Sequence, residues 1–125
     1  MLQHKGLTVY TNEELFERVE AERQERLQNG LQDGDFLIKF RKRDLSIQIK
    51  RAGQEWYSID LERCTTASEL LDLILHLHGK SWACSSSVIS SILTVINDAC
   101  VEIFGKDTQT LMRQGRLLNW RKPKR

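Results

Sequence analysis

Hydrophobic positions along the chain change period twice. Residues 12–29 carry few apolar positions: Leu15, Phe16, Val19 and Leu27, with Ala21 at the margin. Thr11-x-x-Glu14 in front of them is a capping box, in which hydroxyl and carboxylate each satisfy an orphan helix N–H. Glu14 with Arg18 and Glu22 with Arg26 are favourable i, i+4 pairs. The segment therefore predicts a thinly apolar helix, docked at the periphery with much of its surface wet and ended by Asn29-Gly30. A short strand is expected before it, at Leu7 to Tyr10.

From Phe36 the period becomes two. Phe36, Ile38 and Phe40 alternate with Leu37, Lys39 and Arg41. Leu45, Ile47 and Ile49 alternate with Ser46, Gln48 and Lys50. Tyr57, Ile59 and Leu61 alternate with Trp56, Ser58 and Asp60. Such alternation marks half-buried antiparallel strands, and Lys42-Arg43-Asp44 and Ala52-Gly53-Gln54 supply the turns. The predicted meander has one apolar face. Its polar face is expected to show Lys39, Arg41, Ser46, Gln48, Lys50 and Trp56.

Helical spacing then returns. Thr66-x-x-Glu69 is a second capping box, opening a helix apolar nearly all round (Leu70, Leu71, Leu73, Ile74, Leu75, Leu77). That distribution predicts burial between the sheet and another helix. Ser85-Ser86-Ser87 offer N-caps for a long helix to about Phe104. Its broad apolar face runs from Val88 to Phe104, and its wet stripe is Ser87, Ser91, Thr94, Asn97 or Asp98, and Glu102. The expected core comprises Phe36, Ile38, Phe40, Ile47, Ile49, Ile59, Leu71, Ile74, Ile92 and Ile96. The fold class is a single α+β domain over residues 1–120. A three-stranded antiparallel meander is packed on one face by two C-terminal helices, with a peripheral N-terminal helix. Residues 121–125 form a basic tail expected to be disordered.

Composition narrows the class. The 125 residues, 40% apolar and 29% charged, suit a soluble globular domain. No apolar run reaches the ~18–20 residues of a membrane span, and the N-terminus lacks the apolar core of a secretory signal, so a cytoplasmic protein is expected. Cys64, Cys84 and Cys100 are odd in number and widely spaced, as free thiols usually are.

Charge is strongly partitioned. Residues 12–29 carry a net −3, residues 39–51 a net +5 and residues 108–125 a net +6. The candidate binding residues are Lys39, Arg41, Lys42, Arg43, Lys50 and Arg51 around one hairpin, Trp56 beside them, and Arg121 and Lys122 in the tail. Cations near an aromatic side chain suit a phosphate backbone with a stacked base. The same cations on an outer sheet face also discourage edge-to-edge aggregation.

Catalytic chemistry finds little support. His76 and His78 lie two apart on a helix, roughly 200° around it, and do not share one ion. Gly79-Lys80-Ser81 lacks the upstream glycine and the preceding strand of a phosphate-binding loop. Asp60, Glu62 and Arg63 read as a capping network, and Cys64 has no base partner. No enzyme activity, metal or cofactor is expected.

One stretch resembles a family. Trp56-Tyr57-Ser58-Ile59-Asp60-Leu61-Glu62-Arg63-Cys64, then Leu70 to Leu77, then Gly79-Lys80-Ser81-Trp82-Ala83, is similar to small uncharacterised proteins of phages and mobile elements. Those chains share a Y-x-I-D-L-E-R-C … K-[ST]-W pattern and tend to end in a segment like Asn119-Trp120. The resemblance covers roughly residues 55–104 plus the tail. It implies a gene carried by mobile DNA and no catalytic residue. Two functions are compatible with these features. One is a non-enzymatic nucleic-acid-associated regulatory protein using the basic hairpin and tail. The other is a protein-binding inhibitor or adaptor acting on a host nucleoprotein or defence nuclease complex.

Overall fold

The computed structural model describes residues 2–4, 7–9, 11–80, 86–115 and 118–121. The elements run β1 (Leu2–His4), β2 (Leu7–Val9), α1 (Asn12–Asn29), β3 (Leu31–Asp33), β4 (Phe36–Arg41), β5 (Ser46–Arg51), β6 (Gln54–Asp60), α2 (Ala67–His78), α3 (Ser86–Phe104) and α4 (Thr108–Gln114). A 3-10 turn, Leu61–Arg63, links β6 to α2. β1 and β2 pair with each other, His4 opposite Leu7.

The fold is α+β, as the alternation predicts, with one more strand than expected. β3-β4-β5-β6 form an antiparallel meander in that order. β3 is only three residues long and has no full period of alternation in the sequence, so its pairing to β4 (Leu31 opposite Ile38) becomes visible only in the fold. Gly30, between α1 and β3, has a φ of +83°. A Cβ there would come within 3.0 Å of both the Ile38 carbonyl and Leu37 Cδ1, so only glycine fits this close entry to the sheet.

The inner face carries Phe36, Ile38 and Phe40 from β4, Ile47 and Ile49 from β5 and Ile59 from β6, all buried. α3 lies across it, burying Val88, Ile89, Ile92, Val95, Ile96, Ala99 and Cys100. Each such side chain contributes about 1.5–3 kcal/mol when fully removed from water. α3 is long and apolar enough to cross a membrane by length and composition, but here its apolar side is the core against the sheet.

Two helix expectations need correction. α2 is not buried all round: Leu70 and Leu77 are in the core, whereas Leu71 and Leu75 are 51% and 62% exposed and Ile74 is half-buried. A twelve-residue helix packed on one side cannot hide apolar residues around its whole circumference. The polar stripe of α3 is also not simply wet. Asp98 is buried, Ser91 donates to Asp33 on β3 at 2.8 Å, and the Asn97 side chain accepts the Thr108 N–H at 2.8 Å. These polar positions are docking points for other elements.

α1 has no fully buried residue, which agrees with its thin apolar stripe. Its C-terminal half is tied down by Arg26, whose guanidinium donates to both oxygens of Asp98 at 2.7 and 3.0 Å. Leu27 packs against the core beside it. The chain closes with 118–121 laid over the start of α2. The Leu118 N–H donates to the Thr65 carbonyl at 2.8 Å. The buried Trp120 indole donates to the Cys64 carbonyl at 3.1 Å and meets Phe104 edge-on. Ser81 to Ser85, with Trp82 and Cys84, lie outside the described residues.

Candidate functional site

Strand register sorts the hairpin cations by face. Opposite β4, Lys50 faces Leu37, Gln48 faces Lys39 and Ser46 faces Arg41. These residues alternate with Ile47 and Ile49 and so belong to the outer face, although Ser46, expected to be on show there, is itself buried. There Leu37, Lys39, Arg41, Gln48 and Lys50 line a shallow depression of about 180 Å³. Three cations from two strands converge on it, held by a backbone whose other face is the core.

Ion pairing then separates free cations from spent ones. Arg41 reaches Asp44 at 2.9 Å and Arg43 reaches it at 3.6 Å. Lys42 lies 3.4 Å from Glu102 of α3 and Arg51 lies 3.1 Å from Asp35. Among the described residues, Lys39 and Lys50 have no acidic partner within ion-pair distance. The face is not uniformly basic. Glu55 stands opposite Lys50, and Asp60 opposite Ser46, along the β6 margin. Gln48 donates to Glu55 at 3.4 Å.

Neither Trp56 nor Arg51 lines this depression. The β5–β6 register slips between Ile49 and Lys50: Tyr57 pairs with Ile49 but Glu55 pairs with Lys50, leaving Trp56 as the extra residue of a bulge. Arg51 is opposite Phe36, an inner-face residue. Its guanidinium lies 5.1 Å from the Phe36 ring centroid and 5.2 Å from that of Trp56, a cation–π arrangement. Trp56 is thus exposed, with its ring against Arg51, and does not line the depression.

The tail divides as well. Arg121 is bound to Glu62 by two hydrogen bonds of 2.8 and 2.6 Å, and this partner holds its guanidinium more firmly charged than usual. It is thus part of the closing segment, not of a free basic tail. Lys122 lies outside the described residues.

The nucleophile candidates are quiet. Burial pushes the Cys64 and Cys100 thiols up to about 11, so both are protonated at neutral pH. No group of three or more His, Cys, Asp or Glu side chains able to hold a metal occurs among the described residues.

A second surface was not singled out from the sequence. Leu15, Phe16 and Val19 stand exposed on the N-terminal half of α1, Phe16 at 70%. Their i, i+1, i+4 spacing was visible, but the docked half of the helix lies elsewhere, around Arg26 and Leu27. Comparison with protein-family models, with curated proteins and with solved structures finds no match to this chain.

Proposed function

We propose that this chain is a small non-enzymatic, cytoplasmic binding protein of the mobile-element kind, whose outer sheet face contacts nucleic acid without sequence preference. The observation that carries the reading is the depression lined by Lys39, Arg41 and Lys50, two of which have no acidic partner among the described residues. Such cations displace condensed counterions from a phosphate backbone, and binding then weakens with salt. Three contacts to duplex DNA correspond to a slope of log K against log salt of about −2.7. The test is fluorescence anisotropy of a labelled duplex across a salt series, with wild type and Lys39→Glu/Lys50→Glu. Charge reversal should flatten the slope and weaken binding to unrelated sequences alike, because phosphate contacts position without specifying. No binding by the wild type at low salt, or an unaltered slope in the variant, overturns the reading.

A second reading is a protein-binding inhibitor or adaptor acting on a host nucleoprotein or defence nuclease complex. It is favoured by Leu15, Phe16 and Val19 on α1, since contiguous exposed apolar surface often marks an interaction site. Capture of one host protein, lost in Phe16→Asp and retained in Lys39→Glu/Lys50→Glu, would support this reading over the first.

A further inference from the structure

We infer that the outer sheet face reads the phosphate backbone of double-stranded nucleic acid and takes no exposed base. The inference rests on the reading above that this face binds nucleic acid, and it names the form bound.

Binding of single strands normally combines a cationic groove with aromatic rings on which bases stack. Among the described residues, no aromatic side chain lines the depression. Phe36, Phe40 and Tyr57 alternate inward, opposite Arg51, Ile47 and Ile49 in that order. Trp56, the one aromatic that strand alternation would put beside the cations, is the bulged residue, and its ring is engaged by Arg51. Phe16 is on α1, which is held to α3 on the opposite side of the sheet through Arg26 and Asp98. Base-edge readout is limited as well: among the described residues lining the depression, Gln48 already donates to Glu55 at 3.4 Å and Arg41 is paired with Asp44 at 2.9 Å.

What remains is a rigid row of cations. Lys50 lies opposite Leu37, and Lys39 and Arg41 follow on β4. Four residues of strand span about 13 Å, the axial length of about four phosphates of one strand at ~3.4 Å each. A duplex holds its phosphates at fixed spacing and doubles the charge per unit length. A single strand has to be ordered to match the row, and that loss of entropy is ordinarily offset by stacking, for which this face has no platform. Fixed cations without rings therefore select a prearranged backbone.

The experiment compares three labelled probes at one low salt concentration: a 20-base-pair DNA duplex, the RNA duplex of the same sequence, and a 20-residue oligothymidine. Each is titrated with wild type, Trp56→Leu and Lys39→Glu/Lys50→Glu. Trp56→Leu keeps apolar cover over Arg51, and circular dichroism checks its fold. The expected result is at least one duplex bound about tenfold or more tighter than the single strand. The two duplex arms tell whether that backbone is B-form DNA or A-form RNA. Trp56→Leu should leave every affinity within about twofold, whereas one stacked base would make the same change cost about 5- to 150-fold. Equal or tighter binding of oligothymidine, or a loss of that size in Trp56→Leu, overturns the inference while leaving nucleic-acid binding intact. If the wild type binds none of the probes, the underlying reading falls and this one with it.

Discussion

Removing Arg26 should release α1 without melting the sheet. Asp98 is the most deeply buried charged side chain described, with 3% of its side chain exposed, and Arg26 covers it with both a 2.7 Å and a 3.0 Å hydrogen bond. The same contact raises the Arg26 pKa above its usual value, against the opposing effect of burial. In Arg26→Met the aliphatic stem survives, but a carboxylate is left buried without its counter-charge. Breaking a buried pair from one side costs about 3–5 kcal/mol. The molecule can avoid that cost by letting α1 swing away so that Asp98 hydrates. α1 has no fully buried residue, and an isolated helix of this length is marginal in water. The observable loss is therefore capped by the free energy that docks α1. Native-state hydrogen exchange resolves the two routes, because local opening exposes only the amides of the unit that opens. The α1 amides should lose about 150-fold of protection, the equivalent of the lower figure, or all of it where docking is worth less. Amides of Ile38, Ile47 and Ile49, whose own side chains are fully buried, should change little. Replacing both partners, Arg26→Met with Asp98→Leu, removes the stranded charge and should restore most α1 protection. A uniform loss across helix and sheet would refute the argument. So would a double variant whose loss equals the sum of the two single ones.

The remaining predictions concern the buried thiols and the closing segment. Burial raises both Cys64 and Cys100 from 9.0 to about 11, so the unfolded thiols ionise first as pH rises. Their contribution to stability should be complete below about pH 8.5 and be lost progressively toward about pH 11. Thermal melts from pH 8 to 11 should fall more steeply for wild type than for Cys64→Ala/Cys100→Ala, and parallel curves would count against the assignment. Trp120→Phe keeps an aromatic ring beside Phe104 but removes the donor to the Cys64 carbonyl. It should cost about 1–3 kcal/mol in urea unfolding, as an orphaned buried acceptor does, and a change within about 0.5 kcal/mol would mean another donor takes its place.

Local patterns in this chain were readable where one physical cause sets one period. The N-caps at Thr11 and Thr66 are formed, each hydroxyl accepting the N–H three residues on, while the Glu14 and Glu69 carboxylates accept threonine hydroxyls in place of the reciprocal N–H. Phe36, Ile38, Phe40, Ile47, Ile49 and Ile59 are buried as their alternation requires. Leu71 was misassigned because an apolar residue carries no label for which side of a helix finds a partner. β3 and α4 were missed for a related reason. Three and seven residues are too short to show a period, and both are held by partners in the neighbouring elements. Leu31 pairs with Ile38, and Asn97 holds the start of α4. Asp98 and Ser91 looked like a solvated stripe for want of knowledge that α1 and β3 would arrive there with Arg26 and Asp33.

The candidate site shows the same division more sharply. Charge counting finds a net +5 over residues 39–51, yet it treats six cations as equivalent. Folding distinguishes them through partners at three ranges. Asp44 sits in the same turn, Asp35 comes from the neighbouring hairpin, and Glu102 comes from a helix sixty residues beyond Lys42. Only the first of these was visible in the local sequence. Trp56, bulged and with its ring against Arg51, does not line the depression that the remaining cations share. What is left, Lys39 and Lys50 flanking Leu37 with Arg41 at one end, is smaller than the basic run but better defined. It has a fixed spacing, one open side and few competing acids. A surface of that kind distinguishes ligands by how rigidly they present charge. Its affinity is accordingly expected to follow the geometry of the phosphate backbone rather than the identity of the bases.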